Sequence, residues 1–298
     1  MSIIIISSDS RNVEEEMAKR VADAKGFDIV DCRVLEDVAK DCNVDPGILE
    51  KALENTPSIL KKMPQARWRY YLSCIEAEVL ERLRRDNVVC WGVAAHLYVI
   101  GVSHAMKVRL ISGSARRAAS IAELQGTSMN IARKWVDDEE KRRKKWSLSA
   151  YGIDETSPSI YDLVINLDQI DPDEAVGTII EAVGYRKFRP VTYSVKCLSD
   201  LAIAARVRAE LLRSMKDIRV QARDGTVIVF VKGSGREKVK KSRAIKEIAG
   251  KIDGVSFVEV HVKRNITDAE GMESPDRSRY PGWPVIGKTS HDVDKAAN

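Results

Sequence analysis

Apolar positions along the first 183 residues follow two patterns that alternate along the chain. Short apolar runs predict β-strands at residues 2–6, 27–30, 88–91, 107–111 and 163–166. Between these runs the apolar residues return every three to four positions, which predicts α-helices at residues 12–25, 33–42, 46–54, 66–86, 114–123, 128–147 and 172–183. Strands that alternate with helices are typical of the α/β class, in which a parallel sheet carries helices on both faces.

A different pattern begins at Leu198. A long helical stretch leads into two alternating strands joined by Asp224 and Gly225, and a second helix and a final strand follow. An Asp-Gly pair between alternating runs is a strong signal for a β-hairpin. The order helix, strand, strand, helix, strand therefore predicts a small α+β (αββαβ) domain.

These patterns divide the chain into four segments. Residues 1–183 form the predicted α/β domain, and residues 198–264 form the small α+β domain. Between them, the polar and basic residues 184–197 are predicted to be a linker. Residues 265–298 are polar and rich in turn-forming residues, so they are predicted to be disordered.

Composition narrows the class of protein. The chain of 298 residues is long enough for two unequal domains, each with a core of its own. It contains no apolar run of the roughly 18–20 residues that a membrane helix needs, and its N-terminus lacks the basic segment of a signal peptide. The five cysteines form no Cys-x-x-Cys pair and the four histidines are scattered. The sequence therefore predicts free thiols, no metal site and a cytoplasmic location.

The C-terminal domain carries the basic surplus of the chain. Residues 198–264 contain 16 lysines and arginines against 8 aspartates and glutamates. On the predicted helix Lys238, Lys240 and Lys241 form an outer basic face, whereas Val239 is predicted to pack inward. Such a face suits anionic lipid head groups or an acidic protein surface, and an ordinary solvated face is the alternative.

Nucleic acid is a less suitable partner for this domain. Proteins that bind single strands stack the bases on several aromatic side chains. Phe230 and Phe257 are the only phenylalanine, tyrosine or tryptophan residues between positions 198 and 264, so nucleic-acid binding is not expected.

Several segments of the large domain, in their order and spacing, resemble the cytidylate-kinase-like family, a branch of the P-loop nucleoside monophosphate kinases. The resemblance covers roughly residues 1–183 and rests on DIVDCRVLEDVA at 28–39, VVCWGVAAHL at 88–97, VRLISGSARRAASIAE at 108–123 and SPSIYDLVINLDQID at 157–171. The last segment is the most specific. The resemblance implies a phosphate-binding loop after the first strand, ATP with Mg²⁺ as the phosphate donor and a nucleoside monophosphate as the acceptor.

The segment that corresponds to the phosphate-binding loop departs from the family pattern. The family's loop reads like GSGG followed by a basic residue, so its glycine positions fall on Arg11, Val13 and Glu14, and its basic position falls on Glu15. Glycines let the backbone approach the phosphates, and a branched residue such as Val13 opposes this approach. The three carboxylates at 14–16 repel a polyphosphate. The sequence therefore predicts a degenerate phosphate loop.

The part of the site that would bind the acceptor monophosphate also lacks a residue of the family pattern. The arginine of the family's Gly-Arg-Gly turn, which would grip a monophosphate, is replaced by Val93. Arg117 and Arg143 match the family's arginines on the basic helix and on the lid helix, so they are the candidate anion- or nucleotide-binding residues. Both residues also fit a solvated helix face, in which the run EEKRRKK pairs opposite charges four residues apart. No catalytic residue is predicted.

Residues 198–264 resemble a BON domain. The segments DLAIAARVRAEL, DGTVIVFVKG, RAIKEIAG and DGVSFVEVHV follow one another in the order of that αββαβ module. A role in phospholipid binding has been proposed for the family, and the resemblance implies the same role for this domain.

Three functional hypotheses stay open on the sequence. The first is a non-catalytic regulatory or binding protein, in which a degenerate kinase-like domain senses a nucleotide-like or other anionic ligand. The second is a weakly active cytidylate or nucleoside monophosphate kinase, which uses ATP and Mg²⁺ through an altered loop. The third is a scaffold, in which the BON-type module docks on a membrane or a protein while the large domain forms a homodimer.

Overall fold

Five parallel strands form the sheet at the centre of the large domain. The computed structural model describes residues 2–58, 63–234 and 237–263. The strands are β1 (Ile3–Ser8), β2 (Asp28–Val30), β3 (Val88–Cys90), β4 (Ala105–Ile111) and β5 (Leu163–Asn166), and they lie in the order β2-β3-β1-β4-β5. Each neighbouring pair is parallel, and all six residues of the central strand β1 are buried. The predicted α/β sheet and its five strands are confirmed.

Helices cover both faces of this sheet. They are α1 (Arg11–Lys25), α2 (Val34–Cys42), α3 (Pro46–Glu54), α4 (Gln65–Leu83), α5 (Ser114–Gln125), α6 (Met129–Tyr151) and α7 (Pro172–Val183). Ile4 and Ile6 of β1 pack into one core with Met17 of α1 and with α7. Ile3 and Ile5 pack into the opposite core with α2, α3 and α4. Successive side chains of a strand point to opposite faces, so the isoleucine run holds helices on both sides.

The C-terminal domain follows with α8 (Thr192–Leu212), β6 (Ile218–Arg223), β7 (Thr226–Lys232), α9 (Glu237–Ala249) and β8 (Phe257–Lys263). β6 and β7 form an antiparallel hairpin, and β8 pairs with β7 in parallel. Asp224 and Gly225 in the hairpin turn have φ angles of 48° and 78°, as a tight turn of this kind requires. Helices α8 and α9 pack on one face of the three strands, against Val227, Val229 and Val231.

The linker predicted over residues 184–197 is wrong in its second half. Helix α8 begins at Thr192, and Ser194 in its first turn is fully buried. Farther along α8, Leu198 and Ala202 belong to the same hydrophobic core as α2, α3 and α4. Small alanine side chains let α8 approach α4 closely, because helix axes come nearer where the contact residues are small. The C-terminal domain is therefore joined to the sheet domain by a continuous helix and a shared core.

Three sequence expectations concern membrane helices, cysteines and metal-binding groups in the described ranges. Within them, no helix is long and apolar enough to cross a lipid bilayer, and all five cysteines are free thiols. The same ranges hold no group of three His, Cys, Asp or Glu side chains that could bind a metal ion. The disorder predicted for residues 265–298 falls outside the described residues.

Candidate functional site

The candidate site lies where the carboxyl end of β1 meets the amino end of α1. Ligands of parallel sheets bind at this edge, because loops and helix amino ends converge there. β1 ends at Ser7 and Ser8, which are both buried, and α1 begins at Arg11. Among the described residues, the Ser10 side chain makes no capping hydrogen bond to α1. The first turn of α1 therefore keeps backbone N–H groups that its cap residue does not satisfy.

Of the three consecutive carboxylates on α1, Glu14 is the one that faces this site. Glu15 pairs with Lys19 at 2.6 Å, and Glu16 pairs with Arg20 at 3.7 Å, each one helical turn farther along. Helical geometry turns consecutive side chains to different faces, so Glu15 and Glu16 pair with cations of their own helix. That all three carboxylates repel a phosphate stays a prediction.

The two remaining loop positions differ in their surroundings. Arg11 is exposed at the start of α1. Val13 is partly buried and packs against the core that contains Met17 and Val21. Val13 therefore belongs to the sheet core. The segment that corresponds to the family's glycine-rich loop forms the first turn of helix α1.

Glu14 is a partly buried acid among charged groups. It faces the guanidinium groups of Arg143 and Arg109 and the carboxylate of Glu155, and the backbone N–H of Gly92 donates to it. Burial raises the pKa of Glu14 to about 7, although both arginines and the Gly92 N–H act to lower it. The Glu14 carboxyl therefore changes its charge near neutral pH.

Arg143 reaches the site from α6. Its Nε lies 3.2 Å from Oε1 of Glu155 and its Nη2 lies 3.3 Å from Oε2, which makes a two-point ion pair. Its Nη1 donates to the backbone carbonyl of Ser8. Burial acts to lower the pKa of Arg143, but the Glu155 carboxylate outweighs it, so the pKa is raised and the group stays charged. The sequence had singled out Arg143, and the structure brings it to the end of β1.

Arg109 is a second cation at the same place, and the sequence patterns did not single it out. It lies on β4 and is 5% exposed. Its Nη1 donates to Oγ of Ser7 at 2.8 Å, its Nη2 pairs with Asp9, and its guanidinium lies 5.8 Å from the ring centre of Tyr161. The available signal was an arginine between the apolar residues Val108 and Leu110 of a predicted strand, where a buried charge needs a partner.

Glu155 is a buried acid that contacts several groups of the site, and the sequence patterns did not single it out either. Its side chain is 4% exposed, and Nε2 of His96 lies 3.2 Å from its Oε2. The Tyr161 hydroxyl donates to the Glu155 backbone carbonyl at 2.9 Å, and the Tyr161 and His96 rings stack 5.5 Å apart. Burial acts to raise the pKa of Glu155, but His96 and Arg143 together lower it to about 2. Burial also lowers the pKa of His96, which keeps the imidazole neutral.

Arg117, the other predicted arginine, is held by a different carboxylate. It lies on α5 with its side chain 12% exposed, and its Nη2 lies 3.4 Å from Oε2 of Glu140 on α6. Its Nε is buried and has no hydrogen-bond partner among the residues that the structure describes. Val93, at the position of the family's phosphate-gripping arginine, is fully buried. That position therefore presents no cation to a ligand.

The predicted basic face of α9 is partly retained. Lys238 and Lys240 are exposed. Lys241 donates to the Glu237 carboxylate and to the backbone carbonyl of Lys232, each at 2.9 Å. Two of the three predicted lysines thus extend into solvent, and the third is engaged within the domain.

Val239 does not pack inward as predicted. It is 75% exposed, whereas Ile245 and Ala249 are fully buried. Helix α9 packs on the sheet through Ile245 and Ala249 in its later turns, and Val239 in its first turn stays outside that core.

Comparison with known proteins decides the family. The model of the cytidylate kinase-like family matches residues 3–169, which is more than half of the chain. The chain belongs to the cytidylate kinase-like family. The matched residues include the whole five-stranded sheet and every residue of the candidate site at the end of β1.

Curated relatives of this cytidylate kinase-like protein are distant. The cytidylate kinase of Thermococcus kodakarensis is 31% identical over 111 residues, which are 37% of this chain and 56% of that kinase. The cytidylate kinase of Ignicoccus hospitalis is 29% identical over 182 residues, which are 60% of this chain and 97% of that kinase. The cytidylate kinase of Methanopyrus kandleri is 25% identical over 168 residues, covering 56% and 85%.

Two solved structures are also similar to the chain. An uncharacterized protein from Eubacterium ventriosum matches 61% of this chain and 97% of its own, with a TM-score of 0.45 and 17% identity. The shikimate kinase of Bacteroides thetaiotaomicron matches 61% of this chain and 96% of its own, with a TM-score of 0.37 and 13% identity.

The site of this cytidylate kinase-like protein does not fit a magnesium-bound triphosphate as its residues stand. The segment from Ser7 to Glu14 has no glycine, so no part of it can approach a phosphate chain without a Cβ. Arg109 and Arg143 donate to groups of their own chain. The Glu14 carboxyl faces the same two arginines. A phosphate group would have to take the place of that carboxyl.

Proposed function

We propose that this protein is a non-catalytic, anion-binding member of its family, in which a small phosphate-bearing ligand takes the place of Glu14 beside two arginines. The observation that carries the proposal is the convergence of Arg109 and Arg143 on the end of β1, with Glu14 facing both. Guanidinium groups bind phosphate oxygens through paired hydrogen bonds. A Glu14 carboxyl that is protonated near pH 7 no longer competes with an anion for them.

The charge of the cluster supports binding of one small anion. Two arginines and three acids make up this cluster. Asp9 pairs with Arg109 and Glu155 pairs with Arg143, so the net charge of the cluster depends on Glu14. With Glu14 protonated the cluster is neutral, and with Glu14 ionised it carries one negative charge. Anion binding is therefore expected to strengthen as the pH falls through 7.

Phosphoryl transfer depends on positioning and on charge stabilisation of the phosphate chain. Both are weakened here, since the loop has no glycine and Val93 replaces the family's arginine on the acceptor side. These departures favour a binding or regulatory role over a catalytic one.

A weakly active nucleoside monophosphate kinase is the second candidate. The family membership favours it, as do the relatives that are themselves cytidylate kinases. In such an enzyme, a polyphosphate would displace Glu14, and Arg117 would hold the acceptor through the Nε that now has no partner in the described part of the chain.

Calorimetry of the full-length protein tests the two candidates. CMP, CTP, ATP and inorganic phosphate are titrated at pH 6 and pH 8 into the wild type, Glu14→Gln and Arg143→Ala. At least one ligand is expected to bind, about tenfold more tightly in Glu14→Gln at pH 8, and not to Arg143→Ala. Glu15→Gln is the matched control, because Glu15 pairs with Lys19 at the surface, and it should bind like the wild type.

A radiolabel assay for transfer from ATP to CMP, dCMP and UMP completes the test. We expect no product above a buffer control. Turnover that Arg143→Ala abolishes and Glu15→Gln preserves would establish the kinase instead. Failure of all four ligands to bind even Glu14→Gln would remove both candidates.

We further propose that the C-terminal domain docks on an anionic surface, either lipid head groups or an acidic protein. The exposure of Lys238 and Lys240 and the basic surplus of residues 198–264 support this role. The resemblance of these residues to a BON domain agrees with it.

A further inference from the structure

The three-stranded sheet of the C-terminal domain packs its two helices on one face. Alternate residues of β6, β7 and β8, such as Val220, Val229 and Val260, lie in the core with α8 and α9. Successive side chains of a strand point to opposite faces, so the residues between them point away from both helices. We call this second surface the outer sheet face. It consists of the odd-numbered residues of 219–223, the even-numbered residues of 226–232 and the odd-numbered residues of 257–263.

Three aromatic rings lie on the outer sheet face. Phe257, at the start of β8, is 60% exposed. Phe230 pairs in register with His261, and their rings are stacked with centroids 5.0 Å apart and an interplanar angle of 17°. Phe257 and His261 are four residues apart on one strand, which places their Cα atoms about 13 Å from each other. The face therefore has two separate aromatic positions.

A cation lies beside each aromatic position. Arg223 is exposed and belongs to the same cross-strand row as Phe257, since both residues pair with Thr226. Nζ of Lys263 lies 5.7 Å from the centre of the Phe230 ring. Rings and positive charges thus alternate along the face.

Positive charge also dominates the outer sheet face as a whole. Four of its residues are lysines or arginines, namely Arg219, Arg223, Lys232 and Lys263. Its one acid is Glu259, and Oε1 of this residue lies 2.8 Å from Nε2 of His261. Cations therefore outnumber acids four to one on this surface, which suits a polyanion.

We propose that the outer sheet face binds single-stranded nucleic acid. Proteins that hold single strands on an open β-sheet stack the bases on aromatic side chains, while lysines and arginines contact the phosphates. Phe257 stacks on one base, and the free side of the Phe230–His261 stack holds another. Arg223 and Lys232 contact the phosphates. The surface lies across the sheet from α9, so the proposal does not depend on the docking role of that helix.

The strand register is what favours nucleic acid over the other anionic partners. Only two phenylalanines, and no tyrosine or tryptophan, lie between positions 198 and 264, so nucleic acid was not expected on the sequence. The fold brings both phenylalanines to one face and adds the His261 imidazole as a third ring. Cations that alternate with rings match a chain in which phosphates alternate with bases, whereas lipid head groups offer no ring to stack.

Fluorescence anisotropy of the full-length protein with a labelled single-stranded RNA of about 12 nucleotides gives the direct test. The same sequence as single-stranded DNA and as an RNA duplex supplies the comparisons, each at 50 mM and 200 mM salt. Binding of either single strand, at least about tenfold tighter than that of the duplex, is expected because paired bases are not free to stack. The tighter of the two strands identifies the sugar that the face prefers.

Substitutions at two positions separate stacking from phosphate contact, with circular dichroism to verify folding. Phe257→Ala should weaken binding about tenfold and leave its salt dependence unchanged, and Phe257→Tyr should bind like the wild type because it keeps the ring. Arg223→Gln should lower the slope of the logarithm of the binding constant against that of salt by about 0.7, the share of one phosphate.

Matched controls come from the helix side of the same domain. Val239→Ala removes an exposed apolar side chain of α9 and Arg243→Gln an exposed arginine, and both should bind like the wild type. No binding of either single strand at 50 mM salt, equal binding of the duplex, or equal losses in Phe257→Ala and Val239→Ala would overturn the proposal. Vesicle binding that Phe257→Ala abolishes, without any binding of the single strands, would assign the face to lipid instead.

Discussion

The guanidinium of Arg143 donates a hydrogen bond to the backbone carbonyl of Ser8, the residue at which β1 ends, although the two residues are 135 positions apart. Through this contact α6 closes over the end of the central strand. The same guanidinium makes a two-point ion pair with Glu155, so it is held in place before any ligand arrives. An anion bound by this guanidinium would have to compete with carboxyl groups of the chain, and Glu14, with its raised pKa, is the group that we propose it replaces.

Replacing Glu14 with glutamine is expected to stabilise the protein above pH 7. The folded-state pKa of Glu14 is raised from 4.5 to about 7, so its stabilising contribution is complete below pH 4.5 and is lost as the pH rises through 7. The full shift corresponds to about 3 kcal/mol, and partial exposure reduces it, so a gain of about 1–2 kcal/mol at pH 8 is expected. Urea denaturation at pH 5 and pH 8 measures it. A gain of the same size at both pH values would argue against a titrating Glu14.

Glu155→Gln is expected to destabilise the protein by about 2 kcal/mol at pH 7, because it removes the buried carboxylate that pairs with the partly buried Arg143. The lowered pKa of Glu155 means that its contribution is present above pH 4.5 and is lost as the pH falls towards 2. The difference between variant and wild type should therefore shrink in acid. Thermal melts between pH 3 and pH 7 test this dependence.

The matched control for that variant is Glu247→Gln, which removes an exposed ion pair with Lys251. Pairs of this kind contribute less than about 1 kcal/mol. Equal losses in Glu247→Gln and Glu155→Gln would show that the buried network has no special weight.

The two domains are expected to unfold together, because Leu198 of α8 lies in the core of the sheet domain. Leu198→Ala should cost about 2–4 kcal/mol and shift a single transition. Tryptophan fluorescence follows the large domain, and hydrogen exchange at β6, β7 and β8 follows the small one. Val239→Ala is the control, since an exposed side chain should change stability by less than about 0.5 kcal/mol. Two separate transitions, or a stable proteolytic fragment that begins within 184–197, would restore the predicted linker.

Reversal of Lys238 and Lys240 to glutamate is expected to weaken binding of the full-length protein to phosphatidylglycerol-containing vesicles by at least about tenfold. Each basic residue near an anionic surface contributes on the order of 1 kcal/mol, and salt screens it. Vesicle sedimentation at 50 mM and 300 mM salt gives the measurement. Lys25→Glu on α1 is the control, and binding that ignores both salt and the double reversal would refute the docking role.

The sequence by itself determined the elements of both domains. Runs of isoleucine and valine between helical repeats predicted the five parallel strands, since a central strand is buried on both faces and tolerates few polar residues. The helix predicted from residue 46 begins at Pro46, where the Asp45 carboxylate accepts from the Gly47 N–H at 2.8 Å. Asp224 and Gly225 predicted the hairpin. Each of these signals is local, and the physical preference behind it acts within a few residues.

The tertiary structure alone decided which charged groups meet. Arg109 contacts Ser7 across 102 positions, and His96 contacts Glu155 across 59. The first contact depends on the strand order, which sets β4 beside β1. The first turn of α8 looked like a linker because the partner that covers it is distant in sequence. Ser194 is buried, and its Oγ lies 2.9 Å from Nδ1 of His104, 90 positions away. A periodic pattern shows which face of an element is covered, but the partner that covers it, and the pKa that this partner imposes, are properties of the assembled fold.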